Sequence, residues 1–213
     1  MYNFSPNMLK TFEHCQKKFY FQYIKKINVP QKSSFFEKGK KVHALANYSL
    51  KGNDISKLEK TLSKEEAESW NKLKNNEYFQ KKYINSEYYL SSKIDGFWIG
   101  GRLDAVVFDE NNYYILDYKT GSVPQNPEND FQTMVYLLCL SKKLKNDSNI
   151  NFVYIDLKND KNHIITLTPE KLTKYEQSII KICSEIDKFK QPDNIEHSKK
   201  CDFCEFKKIC DLY

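Results

Sequence analysis

The chain has 213 residues, 40% of them apolar and 15% aromatic, which is enough to bury a core and too apolar for a disordered polymer. It carries 34 Lys and Arg against 28 Asp and Glu, a net charge of +6, so a polyanion is an admissible partner. No apolar run nears the ~18 residues of a membrane span, and the start, MYNFSPNMLK, lacks a basic-then-apolar leader. The expected setting is therefore the cytoplasm with no membrane partner, where clustered cysteines stay reduced and point to metal or catalysis.

Charge is uneven along the chain. Residues 1–51 hold ten Lys against Glu13 and Glu37, leaving the rest slightly acidic. Lys, Asn, Ile and Tyr are frequent throughout and Arg102 is the only arginine, so base composition alone accounts for part of this. Lysines would in any case grip phosphates as point charges and not read bases by bidentate contacts.

In chain order, Ser5-Pro6 reads as an N-cap with Pro in the first helical position. It predicts a helix over about 5–27 with Cys15 inside it. A second helix, about 34–50, carries His43. A third runs from a capping box at Ser63 and Glu66 to about Phe79. Strands follow in SEYYLSSKI, opened by Glu87, then FWIGGRLDAVVF and YYILDYKT. A helix at about 129–144 precedes two strands, NFVYIDLK and HIITLT, and Thr168-Pro169 opens a helix to about Phe189. Its apolar stripe is Leu172, Ile179, Ile182, Ile186 and Phe189. The expected class is α/β (α+β), a central mixed sheet flanked by helices, and no Walker-type phosphate loop occurs.

The segment GGRLDAVVFDENNYYILDYKTG is the most informative. Two β-rich runs flank the polar turn 109–112, which predicts a hairpin. With Phe108 opposite Tyr113, Asp104 falls opposite Asp117, and Lys119 projects from the same face as Asp117. Opposed carboxylates repel, so something positive belongs between them. Lys119 alone could serve as a structural ion pair, or a divalent cation such as Mg²⁺ could bridge the oxygens. In NDFQTMVYLLCL, Gln132 and Tyr136 are four apart and share one helical face.

Taken together, these residues resemble the RecB-like branch of the PD-(D/E)XK nuclease superfamily. The matching residues are SPNMLKTFEHCQKKFYFQYI, His43 after EKGKKV, Glu87, GGRLDAVV, ILDYKTG and QTMVY, in the family's order. The resemblance implies a restriction-endonuclease-like core over about 34–167 within one nuclease domain, 1–213. It further implies that Asp104 and Asp117 ligate Mg²⁺ or Mn²⁺, with His43 and the Tyr118 carbonyl as further ligands and Glu87 as the least specific carry-over. Lys119 would act on the attacking water and the phosphate charge, and Gln132 and Tyr136 would position the nucleic-acid strand. The implied activity is that of a metal-dependent DNA exonuclease working on single strands or ends. Repair, recombination and CRISPR adaptation are all open, with a separate helicase or CRISPR adaptation proteins as partners. A non-catalytic DNA-binding or scaffold module of the same fold is the alternative.

The tail CDFCEFKKIC places Cys201, Cys204 and Cys210 within ten residues. Four thiolates hold either a [4Fe–4S] cluster or a structural Zn²⁺, and Zn²⁺ could also take His197 or His14. Spacing alone favours zinc. A subset of the superfamily, AddB-type helicase–nuclease subunits and CRISPR-associated adaptation nucleases among them, carries a cluster on one upstream and three C-terminal cysteines. This resemblance implies a [4Fe–4S] cluster on Cys15, Cys201, Cys204 and Cys210, stapling the N-terminal helix to the tail, 197–213. Cys139 and Cys183 sit among apolar residues and read as core. Trp70 and Trp98 carry no motif, and His163 has no visible partner.

Overall fold

A computed structural model describes residues 3–29, 34–144, 148–192, 201–202 and 204–210, with 34–38 described by backbone alone. His197 and most of the start of the tail lie outside the described residues. The chain opens with a two-residue strand β1 (Asn3–Phe4) and helix α1 (Pro6–His14), whose N-cap Ser5 accepts from the Met8 amide. The predicted single helix over 5–27 is broken at Cys15. That residue is extended (φ −162°), ends α1, and caps the short α2 (Gln16–Phe19) with its own thiol. A π-helical turn, Tyr20–Ile24, completes the segment.

Helices α3 (Ser34–Leu50), α4 (Ser56–Glu59) and α5 (Lys64–Lys74) follow. The capping box of Ser63 and Glu66 starts α5 as expected, but the helix stops five residues before Phe79. Asn75 and Asn76 are poor helix residues, because their side chains compete for backbone groups. Asn76 accepts from the Tyr78 amide and donates to Asn162, turning the chain so that Phe79 packs inward.

The sheet strands are β2 (Lys82–Ile94), β3 (Phe97–Asp109), β4 (Asn112–Lys119), β5 (Asn149–Asp156) and β6 (Lys161–Thr166). Helix α6 (Phe131–Lys143) links β4 to β5, and α7 (Pro169–Lys188) and α8 (Lys207–Cys210) close the chain. The six strands run β1-β3-β4-β5-β6, with β2 along the other edge of β3. β1–β3 and β4–β5 are parallel and the other pairs antiparallel, so the sheet is mixed, as expected. The parallel step needs a crossover, which α6 provides.

Helices α1, α6 and α7 pack on one face of the sheet, and α3 and α5 on the other. On β3, Ile99 and Leu103 join the first core, whereas Ala105 and Val107 join the second. On β2, Leu90 and Ile94 face the first core, but Ser86 turns to Asn47 of α3 at 2.7 Å. Both strands therefore change their buried side between the same two residues, Glu87 and Asp104. Among the described residues no helix is long and apolar enough to cross a membrane.

Candidate active site and cysteine clasp

The β3–β4 register follows the sequence arithmetic from Asp109–Asn112 to Ala105–Leu116. One step further the ladder ends. Asp104 turns its carboxylate to the Tyr118 amide at 2.9 Å, replacing a backbone partner with a charged acceptor. The two aspartates thus part company, Asp104 toward α3 and Asp117 toward α6. The strand predicted to open at Glu87 begins five residues earlier, and Glu87 lies mid-strand at φ +47°. Register arithmetic sets it opposite Asp104, between the pairs Ser86–Ala105 and Tyr88–Leu103. Left-handed backbone is costly for a residue with a Cβ and clusters at functional sites.

His43, on α3, completes this group. Its Nδ1 is 3.2 Å from Asp104 Oδ1, and its Nε2 is 3.0 Å from the Tyr118 carbonyl. One ligand atom from each of His43, Glu87 and Asp104 lies within 4.8 Å of the others. Burial alone would depress His43, but the bond to Asp104, the charges of Asp104 and Asp117, and the Tyr118 carbonyl raise its pKa to about 9. A cluster that holds a proton this firmly is one that attracts positive charge.

Asp117 is only 3% exposed. Burial first, then Asp104, push its carboxyl above the ordinary range, against the pull of Lys119 and His43. Gln132 Nε2 donates to Asp117 Oδ1, and Lys119 Nζ donates to Gln132 Oε1 at 3.3 Å. Lys119 Nζ also lies 2.8 Å from Asp117 Oδ2, an ion pair. The donor set of His43, Glu87, Asp104 and Asp117 is oxygen-rich with one imidazole, which fits a hard divalent cation. Tyr136, on the same face of α6 as Gln132, is buried, and its hydroxyl donates to the Arg102 carbonyl at 2.7 Å.

A model of the PD-(D/E)XK nuclease superfamily matches residues 3–211. The chain belongs to that superfamily. It is similar to a CRISPR-associated exonuclease Cas4 of Francisella tularensis subsp. novicida (strain U112), 26% identical over 121 residues. That match covers 57% of this chain and about 60% of the relative's length. In fold it is similar to a crystal structure of a provisionally named exonuclease from Eubacterium rectale. The TM-score is 0.59 at 13% identity, over 94% of this chain and 87% of the other.

Within this PD-(D/E)XK chain, a cleft of about 710 Å³ opens onto this group through His43, Glu87 and Lys119, with Lys40, Tyr48 and Arg102 also in its lining. Sequence reasoning missed Arg102, whose Nη1 is 3.7 Å from Glu87 Oε2. Its spacing of two from Asp104 on a strand was the available signal. It also missed Asp130, which caps α6 through the Gln132 amide at 3.0 Å and so fixes Gln132 at the helix start.

The clasp cysteines come from both sides of the active-site residues in chain order, Cys15 before them and Cys201, Cys204 and Cys210 after. Cys15 Sγ accepts from the Lys18 amide at 3.4 Å. Lys18 reaches Glu205 at 3.0 Å, and Phe21 stacks on Phe206 at 5.9 Å between centroids. The tail therefore docks on the π-helical segment. Burial pushes the Cys204 thiol up, and Cys15 is among the neighbouring groups that raise it further. Cys204 and Cys201 share a turn closed by a 3.1 Å backbone bond, and Cys210 caps back onto Phe206 at 2.8 Å. The tail contacts bring the segment of Cys201, Cys204 and Cys210 to the segment of Cys15, and a set of four cysteines fits a thiolate-ligated group. Cys139 and Cys183 are fully buried core residues, and His163 lies 3.9 Å from Asp156.

Proposed function

We propose that this chain is a Mg²⁺- or Mn²⁺-dependent DNA nuclease, an exonuclease that acts on single strands or ends. The observation that carries the reading is the His43–Glu87–Asp104 cluster beside the Asp117–Lys119–Gln132 chain. Asp104, Asp117, His43, Glu87 and the Tyr118 carbonyl would hold the cation. When bound, it supplies Lewis-acid neutralisation of the phosphate and lowers the pKa of water.

The protein's own residues do the rest. Asp117 and Gln132 aim the Lys119 ammonium, which stabilises charge developing on the scissile phosphate and holds the attacking water in line. Tyr136 fixes β3 through the Arg102 carbonyl, and so sets the depth of Asp104 two residues on. The domain is proposed to span residues 1–213, with the cysteine clasp as a structural [4Fe–4S] site on Cys15, Cys201, Cys204 and Cys210. A cytoplasmic setting, where clustered thiols stay reduced, belongs to the same reading. The relative's printed name, a CRISPR-associated exonuclease, supports a place beside CRISPR adaptation proteins, with a separate helicase as the other proposed partner.

The test uses anaerobically purified protein, end-labelled single- and double-stranded DNA and RNA, and Mg²⁺, Mn²⁺ or EDTA. Cleavage is expected only with metal, stepwise from one end of DNA, and at least about 10²-fold slower in Lys119→Ala. A Lys119→Ala protein as fast as wild type, or cleavage in EDTA, overturns the reading. Metal-independent binding without cleavage would instead mark a non-catalytic DNA-binding module.

A further inference from the structure

Above the point where β2 and β3 change sides, the residues that face away from the core form an ordered file. Cross-strand pairs along it are Tyr89–Arg102, Ser91–Gly100 and Lys93–Trp98. The next pair position toward the cleft is Glu87–Asp104. The intervening residues Leu90, Ile94, Ile99 and Leu103 are buried in the first core, so the file is the outer surface of the ribbon. Tyr89 is 48% and Trp98 44% exposed, and the Arg102 side chain 69%. Isolated exposed aromatics are ordinary. Here two aromatics alternate with two cations in one register, and the acidic residue beside them is Glu87 at the cleft end, 3.7 Å from Arg102.

The surface is also pre-shaped. Asn3 of β1 donates to the Tyr89 hydroxyl at 2.5 Å. β1 and β2 flank β3 on opposite sides, so the Tyr89 ring reaches across β3 and is tethered there. Gly100 lies in that path. A Cβ on it would come within 2.3 Å of the Leu90 carbonyl oxygen, so the place stays without a side chain. From Asp104 to Trp98 the file is about 20 Å long, room for about six stacked nucleotides. At its near end it runs into the cleft where Lys40, Tyr48 and Lys119 continue the same mixture.

We propose that this face is a track for single-stranded DNA, with Tyr89 and Trp98 stacking bases and Arg102 and Lys93 holding phosphates. Stacking on aromatic faces is sequence-tolerant because every base has a π-face, and a charged groove follows the backbone. A duplex buries its base faces and cannot use Tyr89 and Trp98 in this way. The inference rests on the nuclease reading for its direction, since the file leads a strand toward the carboxylates.

Trp98 is itself the probe. The other tryptophan, Trp70, is 2% exposed, so a change in emission on adding DNA reports Trp98. In EDTA, a dT 12-mer is expected to quench the emission, whereas the same sequence as a duplex quenches little. With binding read by the anisotropy of a labelled dT 12-mer, because Trp98→Ala removes the emission probe, Trp98→Ala and Tyr89→Ala are each expected to weaken binding about 10- to 100-fold at unchanged salt slope. Arg102→Ala and Lys93→Ala should each lower the slope of log K against log salt by about 0.7. Emission unmoved at saturating dT 12-mer, equal quenching by duplex, or four variants that bind as wild type overturn the track. So does emission that follows protein concentration in place of DNA, which assigns the face to a second copy of the chain. Binding is read here without cleavage, so these failures are distinct from a Lys119→Ala enzyme that still cuts.

Discussion

Glu87 shows how much a single backbone angle decides. At φ +47° in mid-strand, it brings its carboxylate within 4.8 Å of ligand atoms on His43 and Asp104. Left-handed backbone costs a residue with a Cβ about 1 kcal/mol, and glycine almost nothing. Within an ordinary strand alanine is the better residue, but here the order should invert. Glu87→Gly is expected to be about 1 kcal/mol more stable than Glu87→Ala by urea unfolding, while both lose metal affinity. Equal stabilities, or alanine ahead, would remove the strain argument. Nothing in the sequence signals this angle, because Glu is neither a turn former nor a left-handed residue. The pairing of Phe108 with Tyr113, by contrast, was legible, since a polar four-residue turn between two β-rich runs leaves only one symmetric register.

At the scale of elements, the β2–β3 ribbon and the β5–β6 turn carry the argument. Periodicity identified the strands, but it treats each face as constant and so could not foresee the change of side at Glu87 and Asp104. The same blindness hid Cys15. A helical pattern ran through it, and only the tertiary docking of the tail explains an extended residue there. The β5–β6 turn is held by Asp156, which accepts from the Lys158 amide at 3.1 Å and from the Asn159 amide and side chain at 3.0 and 2.8 Å. Burial raises this carboxyl, but the three bonds and nearby His163 outweigh it, and its pKa ends below the usual range. A depressed folded-state pKa means stabilisation that is complete above the unfolded value of about 3.9 and is lost as pH falls through the folded one. Asp156→Asn is therefore expected to cost about 1 kcal/mol at pH 7. The gap from wild type should close in thermal melts as pH falls below the ordinary carboxylate range. A gap that persists unchanged into acid would show that the charge is not what holds the turn.

In the molecule as a whole, the nuclease core lies between two ends that meet. Phe21 on Phe206 and Lys18 on Glu205 join residues 185 and 187 apart in sequence. Metal binding by such a clasp becomes folding free energy. Cys204→Ala should lose iron and brown colour and, with them, thermal stability, whereas Cys183→Ser, buried in the core, should lose stability but keep iron. A Cys204→Ala protein as stable as wild type would make the clasp a passenger. The sequence showed the four cysteines and their spacing. It could not show that aromatic stacking and an ion pair draw the tail onto the first helices, because those contacts are specified by no local pattern.

The same closure has a consequence in time. A ribosome adds about 5–20 residues per second, so Lys18 is made roughly 10 to 40 s before Glu205 reaches it. During that interval Cys15, at the junction of α1 and α2, waits without the tail cysteines while the strands behind it are made. If the clasp binds iron as proposed, all four thiols could grip it only after the proposed catalytic residues had been translated. A loaded clasp would then certify that the strand bearing Asp117 and Lys119 has already been made.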